Sequence, residues 1–549
     1  MSLSEAYACL QAGDLAGAEA MLTALLANDA RNTDALHMRA VVRHQSGDLT
    51  GALADMDVIL EFPPDHADAR FNRANILFQM ERHEDALVDF ERATALAPRD
   101  AAIWISRAAC ERALGRDAAV VESYAAALGI DPRNAGALSD RAASLGRLGR
   151  YEEALRELDF ARQLDPLNPA ILGNRAKVLM DVERYGAAAV SFELALRHGA
   201  SSGAIWNNYG HALSALGRDE EAFAAFDHAA TAPVRDFDAG HPLYNKGLIH
   251  LARGDYAEGF ALYARRIELG VVTRPQVAAG VREWDGAPLA GALRIWCEQG
   301  VGDQILFTRL LPLVLRRAPN IVLDCDPRLA PLLQRVHPTI SVVAPNAPFD
   351  GAAAQIGMGD LPRVLGVTPA DVAALEALLR ADETKVAAVR ARYEALAQGR
   401  PIIGIAWASP RAKQARLKGA GLDHWSALLT QPHWFISLQY GANDAPPSIH
   451  IDPSIDQMRS LDDFGAQVAA CDAIVSVSNT TVHVAGALGK PVLVLAPPAR
   501  GLHWYWGLKG EMTPWYPSVR VVRRAVGASW ESQVAEAAAL LGNMLAHAD

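Results

Sequence analysis

Two hydrophobic patterns divide the 549-residue chain. Up to about residue 270, apolar and small positions fall at helical spacing in alanine-rich pairs of segments, and the pairs recur every 34 residues. Gly13, Gly47, Glu81, Gly115, Gly149, Glu183 and Gly217 mark that period, and Gly254 follows after a three-residue insertion. Five residues beyond the marker stand Ala18, Ala52, Ala86, Ala154, Ala188 and Ala222, small enough for two helices to cross closely. Phe90, Tyr124, Phe192 and Phe226 add a large residue on the second helix, and Pro64, Pro98, Pro132 and Pro166 close the unit. A helix pair of this kind buries its apolar face only by stacking on its neighbours, so the pattern predicts an α solenoid of about eight repeats over residues 1–270.

Beyond that point a linker, 271–292, leads into short apolar runs alternating with helical stretches. The runs at 293–297, 321–325 and 341–345 are expected as buried strands of a first α/β unit, 293–400. Those at 402–408, 434–440, 473–478, 492–497 and 519–524 are expected to build a second unit, 401–549, with helices near 384–397, 423–430, 461–470, 480–488 and 529–546. The expected fold is two doubly wound, Rossmann-like parallel sheets in tandem, hinged near Pro401, with a ligand cleft at the carboxyl ends of the strands.

The 34-residue unit has the form of a tetratricopeptide repeat, a fold that usually holds another protein. Nine residues before each marker stand Asn72, Ser106, Asp140, Asn174 and Asn208, with Asn245 in the last repeat. In such repeats this position lines the concave groove, where an amide can both donate to and accept from a peptide backbone. The row is similar to the asparagine ladder of protein O-linked N-acetylglucosamine transferases; simple solvation of the groove is the plainer alternative. A second row, Arg39, Arg73, Arg107, Arg141 and Arg175, is expected to pair with neighbouring acids.

Composition narrows the partners. A net charge of −11 disfavours nucleic acid and anionic membrane surfaces. No apolar run reaches the length of a membrane span, and the first residues pattern as an amphipathic helix, so a cytoplasmic protein without membrane insertion is expected. Five scattered cysteines without metal-ligand spacing suit a reducing compartment.

The candidate chemistry lies in two loops. In CEQGVGDQ, Gly300 and Gly302 let the backbone turn tightly between strand and helix, and Asp303 stands at the helix start, either as a cap or as a base facing the cleft. In SNTTVHVAGALGKP, the second unit's strand ends at Ser478 and Asn479, and Thr480, Thr481 and His483 open a helix whose start suits an anion such as phosphate. A core histidine satisfied by its surroundings is the alternative for His483. Ser409, Lys413, Arg416 and Lys418 follow the strand at 402–408, where a basic loop can neutralise a leaving phosphate or simply be solvated. Asp324, Cys325 and Asp326 spell a DxD pattern at the end of an early strand, away from the helix that opens at Thr480. Trp504, Trp506, Trp515 and Tyr516 either stack on a ligand or pack surfaces together.

The ordered set WDG, EQGVGDQ, IAWAS, SLQ (with Gln439), SNTTVHVAGALGKPV and PWYPSVR resembles two-domain glycosyltransferases of the GT-B type, in particular the heptosyltransferase-like group. With the solenoid, the chain resembles bacterial tetratricopeptide glycosyltransferases that modify proteins, flagellin among them. That resemblance implies capture of an acceptor, flagellin, by the repeats. It also implies transfer of pseudaminic acid or a related nonulosonic acid from a nucleotide-sugar donor such as CMP-pseudaminic acid to Ser or Thr, with no metal and no further cofactor. Asp303 would be the base, and Ser409, Lys413, Lys418, Gln439, Ser478, Asn479, Thr480, Thr481 and His483 would hold the donor. Ser478 and Asn479 depart from the Asp-Thr pair common among relatives. A lipopolysaccharide-type sugar transferase and an inactive scaffold with a transferase fold are the other classes compatible with the sequence.

Overall fold

The structure, a computed structural model, describes residues 2–61, 66–232, 240–275, 280–298, 300–348, 351–376, 379–409, 419–441, 445–498 and 503–546. Two compact units divide between Ala200 and Ser201.

The first unit consists, among its described residues, of twelve α-helices from Leu3–Gln11 to Tyr185–Arg197, packed as consecutive antiparallel pairs. The period-marking glycines have a physical cause. Gly13, Gly47, Gly115 and Gly149 lie at φ between 71° and 89°, in the left-handed region that ends the first helix of each pair. Glu81 and Glu183 adopt the same turn at φ 60°, at a cost of about 1 kcal/mol each relative to glycine. The alanines five residues on are fully buried where the helices cross. Each residue of the arginine row is committed to neighbours, as with Arg39 to Asp55 and Arg73 to Asp89. Arg107 pairs with Glu111, Arg141 with Glu157, and Arg175 with Asp159.

The second unit begins with four more helices of the same kind, Gly203–Ala215, Asp219–Thr231, Gly240–Arg253 and Tyr256–Tyr263. The repeat helices run on to Tyr263, and the last four of them belong to the compact unit that holds both sheets. The reason is an aromatic face. Tyr256, Phe260 and Tyr263 on the last helix pack edge-to-face or tilted against Trp504 and Trp515, and Trp515 Nε1 donates to the Tyr256 hydroxyl at 2.9 Å. One core continues from these rings through the first sheet to one face of the second.

The first sheet is parallel, in the order β3-β2-β1-β4, with β1 Ala292–Trp296, β2 Ile321–Asp324, β3 Ser341–Val343 and β4 Ala352–Gly357. Strand β4 was not expected from the sequence. The second sheet has seven strands in the order β10-β11-β9-β8-β5-β6-β7. These are β5 Ile402–Ala406, β6 Trp434–Ser437, β7 Ile449–His450, β8 Ala473–Val477, β9 Val492–Ala496, β10 Met512–Thr513 and β11 Tyr516–Arg523. All its pairings are parallel except β10 with β11, a departure from the wholly parallel expectation. Helix Trp530–Ala546 covers the sheet's other face through Val534, Ala537, Ala538 and Leu541. The boundary expected at 400/401 falls just before β5, and the helix that precedes it leans on the second sheet. Helix Glu383–Ala397 packs on the second sheet, with the Tyr393 ring against Trp434 and Arg390 paired to Asp472, and Pro401 leads directly into β5.

These contacts set where the chain can be cut. Residues 201–549 should fold as a soluble monomer, whereas 280–549, which exposes Trp504 and Trp515, should aggregate. Equal solubility of the two fragments by size-exclusion chromatography would contradict the shared core. Phe260→Ala should cost about 3–5 kcal/mol in urea unfolding of 201–549.

Candidate functional site

Between the carboxyl ends of the two sheets lies a cavity of about 280 Å³. One wall is the segment Gly300–Asp303, and the other is Ser409, Ser478 and the start of helix Thr480–Ala487. Arg328, Tyr440, Met458, His503 and Tyr505 complete much of the lining.

Asp303 stands in the first turn of helix Val301–Thr308. Gly300 is the N-cap, and having no side chain it offers this helix start no cap of its own, so the capping and the cavity-facing roles of Asp303 both stay open. It is half-buried and lines the cavity. Four tyrosines lie close enough to feel its charge: half-buried Tyr244 and buried Tyr263 from the last repeat helices, and buried Tyr505 and Tyr516 from beside the second sheet. Burial first, and the Asp303 carboxylate among the smaller contributions, pushes the Tyr244 hydroxyl up to about 12 and holds the other three well above their ordinary value. Gln304 turns inward and accepts from the Asp326 amide at 2.8 Å, fixing the helix start to the end of β2.

The opposite wall differs from its sequence reading in how its polar groups are used. Asn479 is the N-cap of its helix: its Oδ1 accepts from the Thr481 amide at 3.0 Å and from Ser476 Oγ at 3.1 Å, and its Nδ2 donates to the Ala408 carbonyl. Thr481 Oγ1 donates to the Leu438 carbonyl at 3.2 Å, and Ser478 Oγ accepts from Trp506 Nε1 at 2.8 Å. Gln439 accepts from the amides of Trp407 and Ala408, lacing the ends of β5 and β6 together, and lies beside the cavity rather than on it. These four side chains, expected to hold a donor, are occupied with positioning the loops that carry Ser409 and Thr480. Lys413, Arg416 and Lys418 lie outside the described residues.

His483 lines the cavity yet is 3% exposed. Its Nδ1 lies 2.9 Å from the Tyr516 hydroxyl and its Nε2 3.3 Å from that of Tyr505, and its ring stacks on Trp506. Burial lowers its pKa to about 3, so the ring is neutral at physiological pH. Gly302 is needed here: a Cβ on it would come within 2.8 Å of His483 Cδ2. Of the two roles open to His483 in the sequence, the hydrogen bonds to Tyr505 and Tyr516 and the packing of Gly302 match the satisfied histidine, placed on the cavity wall.

The DxD carboxylates are committed elsewhere. Asp324 accepts from Arg294 at 2.7 Å inside the sheet, and Asp326 accepts from Arg328 at 2.6 Å. Arg328, which no sequence motif marked, also donates to the Met458 carbonyl at 2.8 Å and so ties the two sides of the cleft. Trp504, Trp506, Trp515 and Tyr516 are buried and pack surfaces together.

In the repeats, the expected groove amides are partly spent between neighbouring helices. In the first unit, Asn72 Nδ2 lies 2.5 Å from His37 Nε2 and Asn174 Nδ2 donates to Ser139 Oγ at 3.0 Å. In the second, Asn245 Nδ2 donates to Asn207 Oδ1 at 2.9 Å, and Asn208 is half-buried on the helix Gly203–Ala215.

Comparison with known proteins bears on the repeats. Models described as tetratricopeptide repeat match residues 67–100 and, in a second form, 3–67, 139–202 and 174–242. Protein FlbA of Caulobacter vibrioides is 30% identical over 371 residues, covering 62% of this chain and 61% of FlbA, so the chain spans less than two thirds of that relative's length. Solved structures with similarity include a tetratricopeptide repeat protein from Parabacteroides merdae, 18% identical, covering 44% of this chain and 95% of that one, at a TM-score of 0.38. YrrB, described as a TPR protein with an unusual peptide-binding site, is 18% identical over 32% of this chain and 91% of its own, at 0.30. Residues 3–100 and 139–242 are tetratricopeptide repeats.

Proposed function

We propose that this protein is a metal-independent GT-B-type glycosyltransferase acting on a protein. Its cleft takes a nucleotide sugar, and its repeats hold the acceptor. The observation that carries the reading is the position of Asp303, a carboxylate that faces Ser409 and Thr480 across one cavity at the carboxyl ends of two parallel α/β sheets. Ligands of open α/β sheets bind at such ends. In the reaction, the acceptor hydroxyl gives its proton to Asp303 and its oxygen bonds to the anomeric carbon. The bond from that carbon to the phosphate oxygen breaks, and the electron pair leaves with the nucleotide. Ser409 and Thr480, with Lys413 and Lys418 a few residues on in the sequence, are the groups assigned to the leaving phosphate. The buried tyrosines around Asp303 keep water from competing with the acceptor hydroxyl.

Flagellin as acceptor, and pseudaminic acid or a related nonulosonic acid carried on CMP as donor, are what the resemblance of the whole architecture, repeats followed by transferase motifs, implies. A scaffold without transfer is the second reading, favoured by the internal use of Ser478 and Asn479. Intact-mass spectrometry of the acceptor recovered with the full chain separates the two. A sugar adduct that requires this chain supports transfer, and a partner recovered unmodified in the presence of donor overturns it.

Asp303→Asn should leave donor and acceptor binding intact and slow transfer on the order of a hundredfold. Near-normal turnover at saturating donor would move the base elsewhere.

His483 should act through stability. Its folded pKa of about 3 lies below the ordinary value near 6.5, so the unfolded chain binds the extra proton first as pH falls. Its contribution is complete above pH 6.5 and declines by about 1.4 kcal/mol per pH unit from there toward pH 3. His483→Gln should flatten that part of the urea-unfolding profile of 201–549; an unchanged slope would contradict the burial.

A further inference from the structure

The last helical turn of the repeats ends in a charged side chain removed from water. Arg266, in the turn Ala264–Arg266, is 0% exposed. Its Nε and Nη2 donate to the two carboxylate oxygens of Glu298, each at 2.6 Å, and Nη2 also reaches Asp360 at 2.8 Å. Glu298 Oε1 accepts in addition from the Gly359 amide at 2.9 Å. The guanidinium lies over the Tyr263 ring at 4.8 Å. Space for the pair is built into the turn Met358–Asp360 that follows β4, since a Cβ on Gly359 would stand 2.9 Å from both Arg266 and Glu298.

A buried guanidinium held by a bidentate carboxylate is geometrically demanding, and an ammonium cannot reproduce the fork. Glu298 stands two residues before Gly300, so the pair fixes the point from which the Gly300–Asp303 wall of the cleft springs. At its far end the same segment is stopped by Gly302 against His483. The wall is therefore held on one side by the final repeat and on the other by the second sheet.

We infer that Arg266 is a positioning residue. Through Glu298 it sets the place of Asp303, so that the repeats which present the acceptor also hold the loop that acts on it. This rests on the transferase reading of the cleft.

The test uses the full chain with Arg266→Lys and, in case that variant folds poorly, Glu298→Gln. Hydrogen exchange followed by mass spectrometry should show peptides covering 300–308 exchanging at least about tenfold faster, with those covering β5 and β8 unchanged. Transfer to the co-purified acceptor should lose about tenfold or more in kcat, while the half-saturating donor concentration and the affinity for CMP stay within about twofold. Wild-type exchange over 300–308 in both variants, or a rise spread equally over both sheets, would overturn the inference. If the unmodified protein neither binds CMP nor transfers sugar, the transferase reading fails, and the exchange result still decides whether Arg266 holds the loop.

Discussion

The burial of the last repeat's aromatic face against the α/β core is the contact on which the rest of the second unit depends. Tyr256, Phe260 and Tyr263 would be an exposed apolar stripe on an isolated repeat array, and Trp504 and Trp515 would be the same on isolated sheets. Each ring removes well over a hundred square ångströms from water, so the joint cannot be opened cheaply. Once it forms, Arg266 and Tyr244 are carried to the segment that holds Asp303, and Trp504 is packed beside Tyr505 on the cleft wall. The repeats are thus part of the cleft's support.

A second constraint is the satisfaction of polar groups. A helix start and several strand ends meet around one cavity, and each brings backbone groups that need partners. Asn479, Thr481 and Gln439 meet that need, which is why side chains that pattern as ligand-binding residues are spent on loop geometry. On the transferase reading proposed above, the cleft's own chemistry then falls to Asp303, Ser409 and Thr480.

The repeats were legible because their periodicity is enforced by backbone geometry. A left-handed turn every 34 residues selects glycine, and a close helix crossing selects alanine. Most strands were legible as apolar runs. β4, AAAQIG, escaped because its alanines carry little apolar contrast, and β7 and β10 escaped because they span two residues each. The unit boundary was hidden since Tyr256, Phe260 and Tyr263 occupy ordinary helical core positions, and nothing in the sequence says that their partner is a sheet domain. Arg266 carries no motif, and although Glu298 opens the EQGVGDQ segment nothing there marks its partner 32 residues away; Gly357 and Gly359, which leave room for the pair, form a second Gly-x-Gly-Asp with Asp360. At the cleft, residue types and positions were readable, and which hydrogen bonds they make was not: Asn479 can cap a helix or hold a ligand with the same amide.

The most direct test of the account is hydrogen exchange of the full chain with and without CMP, UDP or ADP at millimolar concentration. A nucleotide-sugar cleft predicts that at least one of the three protects peptides on both walls together, 300–308 and 478–487. No protection by any of them, or protection confined to the repeats, would contradict it.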